Sequence, residues 1–267
     1  MRVLVTNDDG AAAEGLRRLA AFAADRGMEV LAAAPEGEAS GSGTSRAVPA
    51  DGLVRVGTRR VDGILVHTVA GAPALIVTLA CQGVWGEPPD LVLSGINPGA
   101  NLGSSVLHSG TVGAALTAAR FGRPGVAVSI DLGAVLHWQT ALLALAEVLP
   151  LVGVPGPGEV PGPGEVPTAA RPPVVLNVNA PNVPPERLRG VRAVGLADDP
   201  AVRLTALRVG PDLIKVGYQE TGRTGPTGLP SEGGDVAVLA AGYATVTALS
   251  GVRADPAVML SMNGARG

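Results

Sequence analysis

Two carboxylates stand side by side at Asp8 and Asp9, inside the segment Thr6-Asn7-Asp8-Asp9-Gly10 and directly behind the apolar run Val3-Leu4-Val5. A nucleotide-binding turn at such a place carries glycines, whose backbone donors approach a pyrophosphate; adjacent acids repel one. The pair makes chemical sense with a hard divalent cation between the acids and an anionic ligand. Mg²⁺ and Mn²⁺ take oxygen ligands and bridge to phosphate. Capping of the following helix accounts for one acid but not for two in a row.

Three further segments are rich in small polar groups. Ala34 to Ser45 holds the hydroxyls of Ser40 and Ser42 between glycines. Gly41 and Gly43 lack the third glycine of a dinucleotide fingerprint, and Ser42 is in no Gly-x-Ser-x-Gly elbow, so alone this reads as an ordinary loop. Leu93 to Gly103 contains Asn97 and Asn101. The neutral carbonyl oxygen of an asparagine suits a magnesium-type site already holding two negative charges, although Asn, Pro and Gly are also the commonest turn formers. His108-Ser109-Gly110-Thr111-Val112 precedes an alanine-rich stretch. Hydroxyls, a glycine and free backbone donors at a helix N-terminus form an anion cradle, while Ser109 or Thr111 would equally serve as an N-cap. One histidine, His108, is no catalytic constellation; His67 and His137 read as structural.

These segments need a scaffold that brings them to one rim. The chain has 267 residues, 46% of them hydrophobic, with a mean hydropathy of +0.33, enough to fill a sizeable core and exclude global disorder. Aromatics make up only 2%, so Val, Leu and Ala do the packing. A net charge of −3 argues against a nucleic-acid polymer as partner. The single cysteine, Cys81, lies in an apolar run and reads as buried filler. No window reaches the roughly 18 uncharged apolar residues of a spanning helix, and the first residues do not read as a signal peptide. A cytoplasmic protein with no membrane partner is the expectation.

Periodicity alternates strand and helix. Val3–Val5, Glu29–Ala34, Asp90–Leu93, Val126–Ile130 and Val174–Val178 read as strands; a hairpin over Val54–Val56 and Leu65–His67 turns around Arg59 to Gly63. Helices follow at Leu16–Ala23, from Pro73, at Thr111–Phe121 and at Leu136–Leu149. The pattern predicts an α/β fold: a Rossmann-like, mostly parallel sheet with helices on both faces, plus a C-terminal antiparallel extension or arm. Residues 1–150 and 171–200 would form the catalytic core, and 151–170 an inserted Pro/Gly-rich loop carrying a repeated six-residue unit. Residues 201–267 would form the extension, with β segments at Arg203–Val209, Leu213–Tyr218 and Tyr243–Leu249 and a short helix opened by Asp255-Pro256.

In such sheets ligands sit beyond the carboxyl ends of the strands. The four polar segments all fall there. Asn7-Asp8-Asp9-Gly10, Ala34-Pro35 with Ser40-Gly41, the Ser94-to-Asn97 block followed by Asn101-Leu102-Gly103, and His108 to Val112 together resemble the SurE (survival protein E) family of metal-dependent nucleotidases. Asn177 to Pro181, Gly234-Asp235-Val236 and Gly242-Tyr243 extend the similarity. Glu36 and Gly37-Glu38-Ala39 depart from the family pattern, as do Gly71 to Leu75 and the Pro/Gly repeat.

The resemblance implies removal of phosphate from nucleoside 5′- and 3′-monophosphates, and sometimes from short polyphosphates. It also implies one divalent ion per subunit, Mg²⁺ or Mn²⁺, with Asp8, Asp9, Ser40 and Asn97 as ligands. A homodimer or homotetramer formed through the C-terminal arm follows from the same likeness. Asp8 and Asp9 would then be catalytic through the ion and its water, and Asn97, Asn101, Ser109, Gly110 and Thr111 would hold the substrate and its phosphate. Two rivals stay open: a phosphatase with an aspartyl nucleophile, which would favour Asp-x-Asp where this chain has Gly10, and a nucleotide sensor that binds without turnover.

Overall fold

The computed structural model describes residues 1–154, 174–198, 202–220 and 234–251. The apolar run near the start forms β1 (Arg2–Thr6), in which Val3, Leu4 and Val5 are fully buried. Burial of both side-chain directions requires cover on both faces, and the neighbours supply it. β1 pairs in parallel with β2 (Glu29–Pro35) and leads to it through α1 (Glu14–Ala24).

Next come β3 (Val56–Val61) and β4 (Ile64–Val69), an antiparallel hairpin. Its turn is tighter than the sequence suggests: β3 continues through Arg59 and Arg60, and the reversal is confined to Asp62 (φ 47°) and Gly63 (φ 83°). An Asp-Gly pair with both residues at positive φ matches the twist of the flanking strands. α2 (Pro73–Cys81) then leads to β5 (Leu91–Pro98), α3 (Gly110–Arg120) to β6 (Gly125–Ile130), and α4 (Trp138–Val148) to β7 (Val175–Ala180). His137 sits just outside α4, with its backbone N–H on Asn182 Oδ1. Cys81 is half-buried rather than a core residue.

Among the described residues the large sheet has nine strands in the order β3-β4-β2-β1-β5-β6-β7-β11-β8, with β8 at Val191–Ala193 and β11 at Ala244–Leu249. β4, β2, β1, β5, β6 and β7 run parallel. α1 and α4 pack on one face with Val3, Val5, Val126 and Leu176, whereas α2 and α3 pack on the other with Leu4, Ala33 and Val92.

The tail divides. β9 (Val202–Gly210) and β10 (Leu213–Glu220) pair with each other as a separate antiparallel ribbon. The sequence reading placed no helix between these segments and the last strand. The structure has α5 (Gly234–Ala240) there, and β11 joins the large sheet, antiparallel to β7. Its alternation suits that place: Ala244 and Val246 pack into the main core while Thr245 and Thr247 take the opposite face beside Asn179 and Asn177. The Pro/Gly repeat beyond Val154 and the segment opened by Asp255-Pro256 lie outside the described residues.

Candidate functional site

β1 and β5 are neighbours at the centre of the sheet, and the chain leaves them toward opposite faces, into α1 and α3 respectively. Loops that part in this way open a crevice at the carboxyl ends of the strands. Asp8 and Asp9 follow β1 on one side of it. Asn97 lies near the end of β5 on the other, just past a register shift between Ser94 and Asn97.

The first acid is held by the N-terminus of α3. Thr111 Oγ1 donates to Asp8 Oδ1 at 2.5 Å. Burial pushes the Asp8 carboxyl above its ordinary value, while the Thr111 hydroxyl and the backbone N–H groups of Thr111 and Gly110 work in the opposite direction. Gly110 makes this approach possible. A Cβ there would stand 2.7 Å from Ser42 Oγ, 2.8 Å from Asp8 Oδ2 and 2.9 Å from Asp8 Cβ. One turn on, a Cβ at Gly113 would meet the Gly43 carbonyl oxygen at 2.0 Å. The hydroxyl loop is thereby pressed against α3, and Gly43 N–H donates to His108 O while Ala39 N–H donates to Asp8 O. Ser109 is the N-cap, accepting from Val112 N–H at 3.1 Å.

The second acid is the more perturbed. Asp9 is pushed up to about 7, first by burial, then by the charges of Asp8 and Glu38, with a hydrogen bond from Asn7 acting the other way. Its Oδ2 is buried without a partner, as are Asn7 Oδ1 and Ser42 Oγ. Among the described residues no Lys, Arg or His forms an ion pair with either acid. Two crowded carboxylates, one with an orphaned buried oxygen and neither with a cation, fit a divalent ion. No group of three or more His, Cys, Asp and Glu clusters among the described residues, so neutral oxygens would have to complete such a site.

The neutral candidates differ in readiness. Asn97 Nδ2 donates to Gly99 O at 2.6 Å, leaving the amide oxygen outside that bond. Ser40 is exposed and donates to Glu38 Oε1 at 3.1 Å. Among the described residues neither hydrogen-bonds to Asp8 or Asp9. Glu36 is gripped by Arg55 through two hydrogen bonds.

Asn101 is clamped from the sheet. Its N–H donates to Asn179 Oδ1 at 2.7 Å, its C=O accepts from Asn177 Nδ2 and Asn179 Nδ2, and its Nδ2 donates to Ser129 Oγ at 2.8 Å. In the sequence Asn177 and Asn179 enter only through the resemblance, Ser42 reads as part of an ordinary loop, and nothing singles out Ser129 or the role of Asn7. The available signal was buried amides on a strand with no reason to be polar except a partner.

A family model described as Survival protein SurE matches residues 3–201. The chain belongs to the SurE family. The 5′-nucleotidase SurE of Methylococcus capsulatus (strain Bath) is 38% identical over 197 residues, covering 73% of this chain and 70% of that protein. The 5′-nucleotidase SurE of Chloroflexus aggregans is 36% identical over 259 residues, covering 92% of both. Among solved structures, the SurE protein from Aquifex aeolicus superposes with a TM-score of 0.75 at 25% identity, over the full length of both chains. This SurE chain thus shares with that structure an α/β fold, and its acids lie within the matched region. No helix among the described residues is long and apolar enough to cross a membrane.

Proposed function

We propose that this SurE-family chain is a 5′-nucleotidase, a phosphomonoesterase that hydrolyses nucleoside 5′- and 3′-monophosphates to nucleoside and phosphate. The observation that carries this reading is the adjacent pair Asp8 and Asp9, neither paired with a cation among the described residues: Asp8 is buried and bonded to Thr111 of α3, and Asp9 is half-buried with its Oδ2 buried and unpartnered. Asp8, Asp9, Ser40 and Asn97 would hold one divalent ion, Mg²⁺ or Mn²⁺, which when bound supplies positive charge to an otherwise repelled phosphate and Lewis acidity toward it and the attacking water.

The chain's own groups divide the remaining work. Thr111 and the amides at the start of α3 hold Asp8 in place. Ser109, whose oxygen already accepts from Val112 N–H, keeps its hydroxyl proton to donate to a phosphoryl oxygen, beside Gly110 and Thr111 at the positive end of α3. Asn101, fixed by Ser129, Asn177 and Asn179, lines the other side. Water is the acceptor: its oxygen bonds to phosphorus and gives up a proton as the bond to the ester oxygen breaks, and that oxygen departs with the nucleoside as a hydroxyl after taking up a proton, so no phosphorylated aspartate forms.

The arm is the proposed contact between subunits, giving a homodimer or homotetramer. Leu207, Val209, Leu213, Ile214 and Val216 of the ribbon are exposed, and a two-stranded ribbon with bare apolar side chains is marginal alone. The cytoplasm is the proposed compartment.

The deciding experiment crosses a panel of phosphate esters, including AMP, 3′-AMP and tripolyphosphate, with Mg²⁺, Mn²⁺ and an EDTA control, and measures free phosphate. Metal-dependent release from AMP, abolished by EDTA and nearly lost in a folded Asp9→Asn variant, is expected. Binding of AMP with no release would make the protein a sensor, and trapping of phosphate on Asp8 would replace water by an aspartyl nucleophile.

A further inference from the structure

Outside the two acids, the most heavily engaged carboxylate of the described residues is Asp235, on α5 near the C-terminal end of the chain. It is fully buried. Its Oδ2 accepts the Gly103 N–H at 2.9 Å; its Oδ1 accepts the Ala197 N–H at 2.9 Å and the Val236 N–H at 3.0 Å. Its own N–H donates to Gly195 O at 3.0 Å. Among the described residues no cation pairs with it. A buried carboxylate satisfied wholly by backbone donors from three segments is costly to maintain unless it fixes their geometry.

The segment it fixes is the one that carries Asn101. Gly103 opens the short 3-10 helix Gly103–Leu107, which runs directly into Ser109 and α3. Leu102, between Asn101 and Gly103, packs on Ala197, Val236 and Leu239. The loop is thus gripped from two sides. Asn177, Asn179 and Ser129 hold Asn101 from the sheet, and Asp235 holds Gly103 from α5, across 132 residues of sequence. Asp235 also lies beyond the region matched by the family model, which ends at residue 201.

We propose that Asp235 is a positioning residue for phosphate: by accepting the Gly103 N–H it sets the loop from Asn101 to Ser109 against the acids, so that the C-terminal segment completes the phosphate side of the site. This rests on the nucleotidase reading for the identity of the ligand. The side chain of Asp235 bonds to none of Asp8, Asp9, Ser40 and Asn97, the residues that would hold the ion and that stand after β1, after β2 and on β5.

The test separates these two sides. In Asp235→Asn the one remaining oxygen keeps the two donors Ala197 and Val236, and the NH₂ then faces the Gly103 N–H, so that contact is lost. Inorganic phosphate affinity in the presence of Mn²⁺, read by calorimetry, is expected to weaken about tenfold or more, and kcat for AMP to fall by a similar factor. Mn²⁺ affinity measured without phosphate is expected to stay within about twofold, with the circular dichroism spectrum unchanged. Unchanged phosphate affinity in the variant, or Mn²⁺ affinity falling in step with phosphate, overturns the proposal. Should the variant fail to fold, amide exchange in the wild-type protein decides: slow exchange at Gly103 supports the contact, and exchange as fast as an open loop refutes it. Wild-type turnover of AMP is read in the same series, so failure of the nucleotidase reading stays distinct from failure of the positioning role, which the phosphate arm reports by itself.

Discussion

The hydroxyl of Thr111 donates to Oδ1 of Asp8 at 2.5 Å, joining the first turn of α3 to the loop after β1 across 103 residues of sequence. Burial raises this carboxyl, and the bond works against that by favouring the charged form, the form that receives a cation. Thr111→Val should weaken Mn²⁺ binding by about tenfold, the scale of one hydrogen bond to a charged group, whereas Thr111→Ser should stay near wild type. Calorimetric titration checks this; equal affinities for the Val and Ser variants would detach Thr111 from the metal side.

Asp9 gives a pH dependence with a definite sign. Its carboxyl is raised from 3.8 to about 7 in the folded, metal-free chain, so the folded state binds the proton more tightly than the unfolded one. The stability linked to that proton is complete below about pH 4 and is lost as pH rises through about 7. In EDTA, the melting temperature of the wild type should therefore fall between pH 5 and pH 8 more than that of Asp9→Asn, which carries no such group. Parallel curves for the two proteins would count against the assignment.

Gly110 leaves no room for a side chain beside Asp8. A methyl group there would overlap Asp8 Cβ and Oδ2 and Ser42 Oγ, all at under 3 Å. Gly110→Ala should displace Asp8, cost about 1–3 kcal/mol of stability, and remove most phosphatase activity. Thermal melts and phosphate release measured on one preparation test both halves. Full activity in the variant would mean that Asp8 can yield without consequence.

Asn179 supports Asn101 through both of its amide atoms. Asn179→Ala leaves the Asn101 N–H without its acceptor in a part-buried setting, at a cost of about 1–3 kcal/mol. Activity should fall with Mn²⁺ affinity preserved, because the acids follow a different strand, β1. Urea titration and metal titration together check it, and a variant as stable as the wild type would show that water replaces the lost acceptor.

The local parts of this protein were readable from its residues in order. Val3 to Val5 must be a doubly covered strand, two acids must follow it, and Ser109 must lie at or near a helix start, because each of these depends on neighbours within a few positions. What the sequence alone left open were the contacts that join those parts. Thr111 was one of two equally good caps until α3 was seen to press against the loop after β1, where its hydroxyl meets Asp8. Asn177 and Asn179 became the support of Asn101 only once β7 was set beside β6. β11 shows the same limit: its alternating pattern fits an arm as well as an inner strand, and its partner β7 decides between them. Spacing along the chain reports which way a side chain points relative to its own element; which element it then faces depends on sheet order and on how closely two backbones can pass, and Gly110 and Gly113 set that distance here.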